Sequence, residues 1–176
     1  MPVIQSDKYV LLKHEINKGK GAALKTGFSY AYNHNFKKVI TLDADLQHLP
    51  EQIPEFLEKL GDGKIVIGSR MNNISGMPLQ RKMSNFITTL LVKIKTGIHI
   101  GDSQSGFRGY SGEYLPFYLN ISDNWGAETE ILVISVINRA NFEFVSIPTI
   151  YTEISTSKMQ PLRAIIQFMR AIIKTY

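Results

Sequence analysis

The sequence contains no cysteine and no long uninterrupted apolar run. Without cysteine the chain cannot build a disulfide framework or a thiolate metal site, and a reducing compartment is compatible with it. No stretch reaches the roughly 18 consecutive apolar residues that a membrane-spanning helix needs, because lysines and arginines interrupt each candidate. The first residues also lack the basic start and apolar run of a secretory signal, so exposure to the cytosol is the default expectation.

The composition fits one globular domain. With 176 residues, of which 44% are hydrophobic and 20% charged, the chain can bury a substantial core, which argues against disorder. The formal net charge of +5 suits an anionic partner. Because the basic residues are scattered and form no known nucleic-acid module, we do not expect nucleic acid to be that partner.

Short apolar runs alternate with amphipathic stretches, which is typical of a layered α/β domain. We expect strands at residues 9–12, 38–42, 65–68, 107–110 and 142–147. We expect helices at residues 21–32, 50–60, 81–96, 129–139 and 161–176. Ligands of open α/β sheets bind beyond the carboxyl ends of the strands, so we expect the binding site in the segments that follow the strands.

Two carboxylates, Asp43 and Asp45, stand where the strand at 38–42 ends. At this spacing both side chains point the same way, and their oxygens suit a hard divalent cation such as Mg²⁺ or Mn²⁺, with Gln47 and His48 as possible neutral ligands. Such an ion would neutralise the charge that develops on a nucleoside-diphosphate leaving group. The alternative is that the two aspartates only form a turn and cap the next helix.

The segment Asn17-Lys18-Gly19-Lys20-Gly21 is rich in glycine and opens a helix, a place that attracts phosphate. Neither the Walker pattern nor the dinucleotide pattern fits, because Leu24 stands where each requires a glycine. The alternative is an ordinary helix start with Asn17 near the cap and the lysines in solvent.

Two further segments are expected at the same edge of the sheet, Gly68-Ser69-Arg70 and the loop from Asp102 to Arg108. Taken in order, NKGKGAALKTG, DADLQHLPEQIP, GSR, DSQSGFRGYS, ETE and SK resemble the family 2 glycosyltransferases. The resemblance is closest to the polyprenyl-phosphate sugar transferases, such as dolichol-phosphate mannose or glucose synthases, and covers nearly the whole chain. Each motif alone is common, whereas their order and spacing together are specific.

The resemblance implies a role for each matching residue. The metal and diphosphate site corresponds to Asp43, Asp45 and Gln47, with Asp45 as the favoured direct ligand of Mg²⁺ or Mn²⁺. The nucleotide-sugar pocket corresponds to Asn17, Gly19, Lys20 and Gly21. The acceptor phosphate corresponds to Arg70 and Arg81, and the acidic residues facing the sugar are Asp102, Glu128 and Glu130. Helix-capping or loop-stabilising roles are the alternatives for these three acids.

The family also implies a three-layer α/β/α fold of the GT-A, Rossmann-like type with a mostly parallel sheet. Only sixteen residues precede Asn17, and they can supply one strand at most, so we expect the first strand-helix-strand portion to be missing. We expect the truncated domain at residues 1–155 and an amphipathic helix at 156–176. The pattern of this helix fits packing on its own domain or on a partner as well as a membrane surface, and the lipid acceptor that the resemblance implies favours the membrane. The expected location is peripheral, on the cytoplasmic face, with a second polypeptide or another copy covering the truncated edge.

Three functions compete at this stage. The first is transfer of a hexose from UDP-glucose or GDP-mannose to a polyprenyl or dolichyl phosphate, helped by a divalent metal. The second is a noncatalytic or split subunit that binds acceptor and membrane and needs another chain for the nucleotide. The third is a nucleotidyltransferase that makes sugar nucleotides, but such an enzyme should carry its glycine-rich segment on the opening strand and lack a terminal amphipathic helix.

Overall fold

The computed structural model describes residues 3–5, 9–71, 79–123, 126–148 and 150, with the side chains of Gln80, Arg81 and Ser84 and of residues 3–5 left out. The strands are β1 (Val3–Gln5), β2 (Val10–Leu12), β3 (Lys38–Thr41), β4 (Lys64–Ser69), β5 (Arg108–Ser111) and β6 (Asn141–Ser146). The α-helices are α1 (Lys20–Asn33), α2 (Ile53–Lys59), α3 (Leu79–Thr96) and α4 (Ala127–Ile137). Two 3₁₀ helices span Pro50–Gln52 and Gly112–Tyr118.

Four strands form a mixed sheet in the order β3-β5-β4-β6. β4 and β6 pair in parallel, whereas β5 lies between β3 and β4 and is antiparallel to both. The expected mostly parallel sheet therefore needs correction. Three strands do run in one direction, but the inserted β5 makes two of the three pairings antiparallel, because strand direction depends on how the connections pack and not on the apolar pattern of the strand.

The start of the chain also differs from the expectation of a single strand. β1 and β2 pair with each other as an antiparallel two-stranded sheet, with Val3 opposite Leu12. A three-residue strand carries too little apolar pattern to be read from the sequence alone.

Two apolar clusters cover the two faces of the sheet. Side chains of β4 alternate between them, since Ile65 and Ile67 belong to one cluster and Val66 to the other. The larger cluster includes Phe28 of α1 and Ile131 of α4, and the smaller one is built around Phe56 of α2. Helices thus lie on both sides of the sheet, as the predicted three-layer α/β/α architecture requires.

The remaining predicted helices have different outcomes. The helix expected at 50–60 begins as a 3₁₀ turn and continues as α2, while α4 begins two residues before the predicted start at Thr129. The amphipathic helix at 156–176 lies outside the described residues. None of the helices in the described part of the chain is long and apolar enough to cross a bilayer.

Candidate active site

One edge of the sheet gathers most of the segments that the sequence singled out. Asp43 follows the carboxyl end of β3, and Arg70 follows that of β4. β5 runs the other way, so its amino end lies at the same edge, with Arg108 paired to Thr41 on one side and to Ile67 on the other. The loop from Asp102 to Phe107 therefore reaches the sheet between the two carboxyl ends.

The first cluster at this edge joins Lys20, Asp43 and Glu128. Lys20 is the first residue of α1, and its Nζ lies 2.6 Å from Oδ1 of Asp43 and 3.0 Å from Oε1 of Glu128, near the start of α4. Burial is the largest single influence on the Lys20 pKa and lowers it, but the charges and hydrogen bonds of Glu128 and Asp43 outweigh burial and raise the pKa. The lysine is therefore a fixed cation held between two carboxylates.

The turn that follows Asp43 is held by its own side chains. The backbone N–H of Gln47 donates to Oδ1 of Asp45 over 3.1 Å, while the N–H of Asp43 donates to Nδ1 of His48 over 3.0 Å. Burial lowers the pKa of His48 in spite of the nearby aspartates, which keeps the ring neutral and able to accept this bond. Asp45 thus takes part in the turn, as the turn-forming alternative requires, but no side-chain hydrogen bond caps the 3₁₀ turn or α2 that follows.

Asp43 and Asp45 suit a hard divalent cation if a bound substrate supplies further oxygen ligands. Within the described part of the chain there is no group of three His, Asp or Glu side chains that would hold a metal unaided. Mg²⁺ is commonly held by one or two protein carboxylates plus substrate phosphates and water, which is the donor set that Asp43 and Asp45 offer. The Asp43 carboxylate packs closely against Gly106, where a Cβ would overlap it.

The second cluster joins Arg70 to Asp102. Asp102 is fully buried, and it accepts hydrogen bonds from Nε of Arg70 at 2.7 Å, from Nη2 at 2.9 Å and from the Arg70 backbone N–H at 3.2 Å. Nδ2 of Asn85 on α3 donates to the same carboxylate over 3.0 Å. Burial raises the Asp102 pKa, but the Arg70 guanidinium outweighs burial and holds the pKa below its usual range. The carboxylate is thus ionised and fixes the orientation of the arginine.

Polar contacts extend this cluster along α3. Oγ1 of Thr89 lies 3.3 Å from Oδ1 of Asn85 and 3.1 Å from Oγ of Ser103, and Ser103 donates to Thr88 over 3.2 Å. All four side chains are buried. Asn85 links these hydroxyl groups to the Asp102 carboxylate.

Arg108 ends the DSQSGFR segment, and no role is predicted for it from the sequence. Its side chain is fully buried, and it donates to the carbonyl oxygens of Ser105 at 2.7 Å, Ser103 at 2.8 Å and Glu128 at 2.8 Å. The arginine therefore fixes the 102–107 loop and ties it to the start of α4. The feature of the sequence that could have indicated this role is a charged residue at the start of a short strand whose other residues are small or aromatic.

The glycine-rich segment reaches the site chiefly through its lysine. Oδ1 of Asn17 accepts from the Gly19 N–H over 2.9 Å, and Gly19 has a φ of 92° that favours glycine. A Cβ at Gly19 would lie 2.6 Å from the Asp123 carbonyl oxygen, and one at Gly21 would overlap the carbonyl of Ser122. These glycines let the start of α1 pack against the loop before α4, which places Lys20.

Two further predicted residues are Arg81 and Glu130. The Arg81 backbone lies in the first turn of α3, but its side chain lies outside the described residues. Glu130 is buried, and its carboxylate accepts from the Ser122 N–H over 2.8 Å, which supports a structural role.

A cavity with a volume of about 290 Å³ lies away from both charged clusters. It is lined by Lys37, Ser111 and Glu113, among others, at the opposite edge of the sheet. No predicted site residue lines it, so we place the active site by its charged clusters and not by this cavity.

Comparison with known proteins decides the family. A model of glycosyl transferase family 2 matches residues 3–119. The chain belongs to glycosyl transferase family 2. The matched residues contain Lys20, Asp43, Arg70, Asp102 and Arg108, and Glu128 lies just beyond them. The predicted family is confirmed, and the mixed sheet flanked by helices is compatible with its GT-A fold.

Individual relatives place this family 2 domain among named enzymes. It is 35% identical over 161 residues to a UDP-N-acetylglucosamine–dolichyl-phosphate N-acetylglucosaminyltransferase of Methanococcus voltae, covering 86% of this chain and 63% of the relative. It is 32% identical over 113 residues to an undecaprenyl-phosphate mannosyltransferase of Micrococcus luteus, covering 62% of this chain and 46% of the relative. The chain thus spans less than two thirds of the length of either enzyme.

Proposed function

We propose that this chain transfers a sugar of the hexose type from a nucleotide-diphospho-sugar to a polyprenyl or dolichyl phosphate. The observation that carries the proposal is the pair of clusters at one sheet edge, a carboxylate turn beside the start of a helix and an arginine oriented by a buried aspartate. Similarity to a dolichyl-phosphate and an undecaprenyl-phosphate transferase supports a polyprenyl-phosphate acceptor.

The donor side is the cluster of Lys20, Asp43 and Glu128 with the neighbouring Asp45. Asp43 and Asp45, assisted by Gln47, would hold Mg²⁺ or Mn²⁺ together with the donor diphosphate, and such an ion would supply Lewis-acid neutralisation of the leaving group. The Lys20 ammonium adds positive charge at the same place, at the amino end of α1, where the helix dipole favours phosphate.

The acceptor side is Arg70, together with Arg81 as the proposed second arginine. An oxygen of the acceptor phosphate attacks the anomeric carbon, the bond from that carbon to the diphosphate oxygen breaks, and the nucleoside diphosphate leaves with the electron pair. Because the acceptor is already an anion, no proton has to be removed during this step. The protein instead has to hold two anions close together, a task that suits guanidinium groups.

The two remaining acids follow from this assignment. Asp102 is fully buried and ionised against Arg70, so we assign it to positioning that arginine and not to removing a proton. Glu128 faces the Lys20 ammonium over 3.0 Å and is assigned to holding that lysine and to orienting a sugar hydroxyl.

The test is a transfer assay with detergent-solubilised undecaprenyl phosphate or dolichyl phosphate, Mn²⁺ and UDP-N-acetylglucosamine, UDP-glucose or GDP-mannose in turn. Mass spectrometry should detect a polyprenyl-phosphate sugar with one of these donors. Arg70→Gln should slow the reaction on the order of a hundredfold, since it removes a charge from the acceptor site. Arg139→Gln, an exposed arginine at the other end of the sheet, is the matched control.

Two results would reject independent catalysis. A folded chain that binds a donor but yields no product with either acceptor would favour the noncatalytic binding or assembly subunit. A folded chain that binds none of the donors, with or without Mn²⁺, would remove the proposed donor site itself.

A further inference from the structure

Helix α3 buries several polar side chains and exposes several large apolar ones, although its Val92 packs in the larger apolar cluster. Asn85, Thr88 and Thr89 are at most 8% exposed and face the polar cluster around Asp102. The exposed side chains include Leu79 at 73%, Met83 at 57%, Phe86 at 69%, Leu90 at 44% and Ile94 at 72%. A helix face with several large apolar side chains exposed to solvent is unfavourable in water, and such a face usually packs against another surface.

These five exposed residues form a continuous band, which we call the α3 stripe. At 3.6 residues per turn they fall within about 80° of arc, and at 1.5 Å per residue they extend over roughly 22 Å. Of the described elements, α4 is the main packing partner of α3. The buried threonines and Asn85 lie on the opposite side of the helix from the stripe, so the core does not use this face.

The charges of α3 have one sign. The helix carries Arg81, Lys82, Lys93 and Lys95, and no aspartate or glutamate occurs in its sequence. On a regular helix, Lys82 and Lys93 project along one border of the stripe. The partner of this face must therefore accept apolar groups and also carry negative charge.

We propose that the α3 stripe is the surface by which the chain docks on an anionic lipid bilayer. Apolar residues that enter the acyl boundary, with lysines beside them at the headgroups, describe an interfacial helix. A second copy of the chain is a poorer partner, because self-association would bring two wholly cationic helices together.

This inference rests on the proposed function and deepens it. Asn85, on the inner side of α3, donates to the Asp102 carboxylate that orients Arg70. The same helix would therefore contact the bilayer on one side and support the proposed acceptor arginine on the other. A lipid phosphate leaving the bilayer surface would meet Arg70 near the membrane.

The experiment is sedimentation with vesicles of phosphatidylcholine, either pure or mixed with phosphatidylglycerol, free of polyprenyl phosphate and sugar nucleotide. We expect the chain to bind the anionic vesicles, more weakly at high salt. Phe86→Glu with Ile94→Glu should weaken binding on the order of tenfold or more without loss of the circular dichroism spectrum. Leu57→Glu with Ile137→Glu, which adds the same charge at exposed apolar sites on α2 and α4, should bind like the wild type.

Several outcomes would overturn the inference. Absence of binding to anionic vesicles, or equal binding by the α3 variant and the wild type, would remove the docking surface. A fall in melting temperature in the α3 variant with unchanged vesicle binding would show that the protein itself covers the stripe. Dissociation of a dimer by the same substitutions, without vesicle binding by the wild type, would assign the stripe to a second copy. Because these vesicles contain no acceptor, each result is independent of the transfer assay.

Discussion

Replacing Asp102 by asparagine should cost stability as well as activity. Asp102 is fully buried and accepts three hydrogen bonds from Arg70 and one from Asn85. The substitution therefore leaves the largely buried Arg70 guanidinium without the Asp102 charge. Breaking a buried ion pair by removing one partner costs about 3–5 kcal/mol. Because the Arg70 side chain is 18% exposed, water can partly solvate it after the substitution. We therefore expect a loss at the lower end of this range, about 3 kcal/mol of the free energy of unfolding. For a chain of this length the loss corresponds to a fall in melting temperature of about 6–12 °C.

The dependence on pH separates this ion pair from a general packing effect. The folded pKa of Asp102 is lowered, so its contribution to the free energy of unfolding is complete above the unfolded value of about 3.9. The contribution is lost as pH falls from there through the folded pKa. The stability difference between wild type and Asp102→Asn should therefore be constant from pH 6 to pH 8 and shrink in acid as Asp102 becomes protonated.

The assay is urea unfolding of the wild type, Asp102→Asn, Arg70→Gln and the double variant at several pH values. If the ion pair is the cause, the double variant should lose less stability than the two single variants together. A loss of under about 0.5 kcal/mol in Asp102→Asn at pH 7, within the range of ordinary surface substitutions, would refute the reasoning. Strict additivity in the double variant would refute it as well.

Three further predictions concern the start of α1 and the carboxylate turn. Gly21→Ala should destabilise the fold by at least about 2 kcal/mol, because a Cβ would overlap a facing backbone carbonyl, whereas Gly27→Ala in the same helix, with open space around it, should gain about 0.5–1 kcal/mol in urea unfolding. Gly106→Ala should abolish Mn²⁺-dependent donor binding in calorimetry by displacing Asp43, and unchanged binding would contradict that crowding. Lys20→Met should raise the donor Kd on the order of tenfold, since a charge-assisted phosphate contact is lost, and an unchanged Kd would exclude the lysine from the donor site.

Much of the architecture could be predicted from the sequence. The strands at 65–68 and 142–147 were predicted because apolar runs end at a glycine or a proline, and both are confirmed within two residues as β4 and β6. The antiparallel course of β5 could not be predicted, because nothing in a four-residue strand records its direction. The exposed apolar face of α3 was also missed, since periodicity shows that a helix has two faces and not which one meets the core.

The site was predictable by segment but not by partner. Asp43 and Arg70 each follow the carboxyl end of a strand, and both strands end at the same edge of the sheet, as the sequence predicts. The contact of Lys20 with Glu128 and that of Arg70 with Asp102 depend on the packing of α1, α3 and α4, which one sequence does not specify. Arg108 was missed because a buried arginine looks like any surface cation until its three carbonyl acceptors are known.

The position of β5 makes assembly of the site inseparable from folding of the sheet. β3 and β4 have no direct pairing and are joined only when β5 inserts between them. Since β5 follows α3 in the chain, the sheet closes by contacts between residues far apart in sequence, a topology that folds slowly. The same insertion brings Arg108 and the 102–107 loop between Asp43 and Arg70. A chain that has not yet placed β5 thus has neither a complete sheet nor an arranged pair of clusters, and its charged groups stay apart until the core is closed.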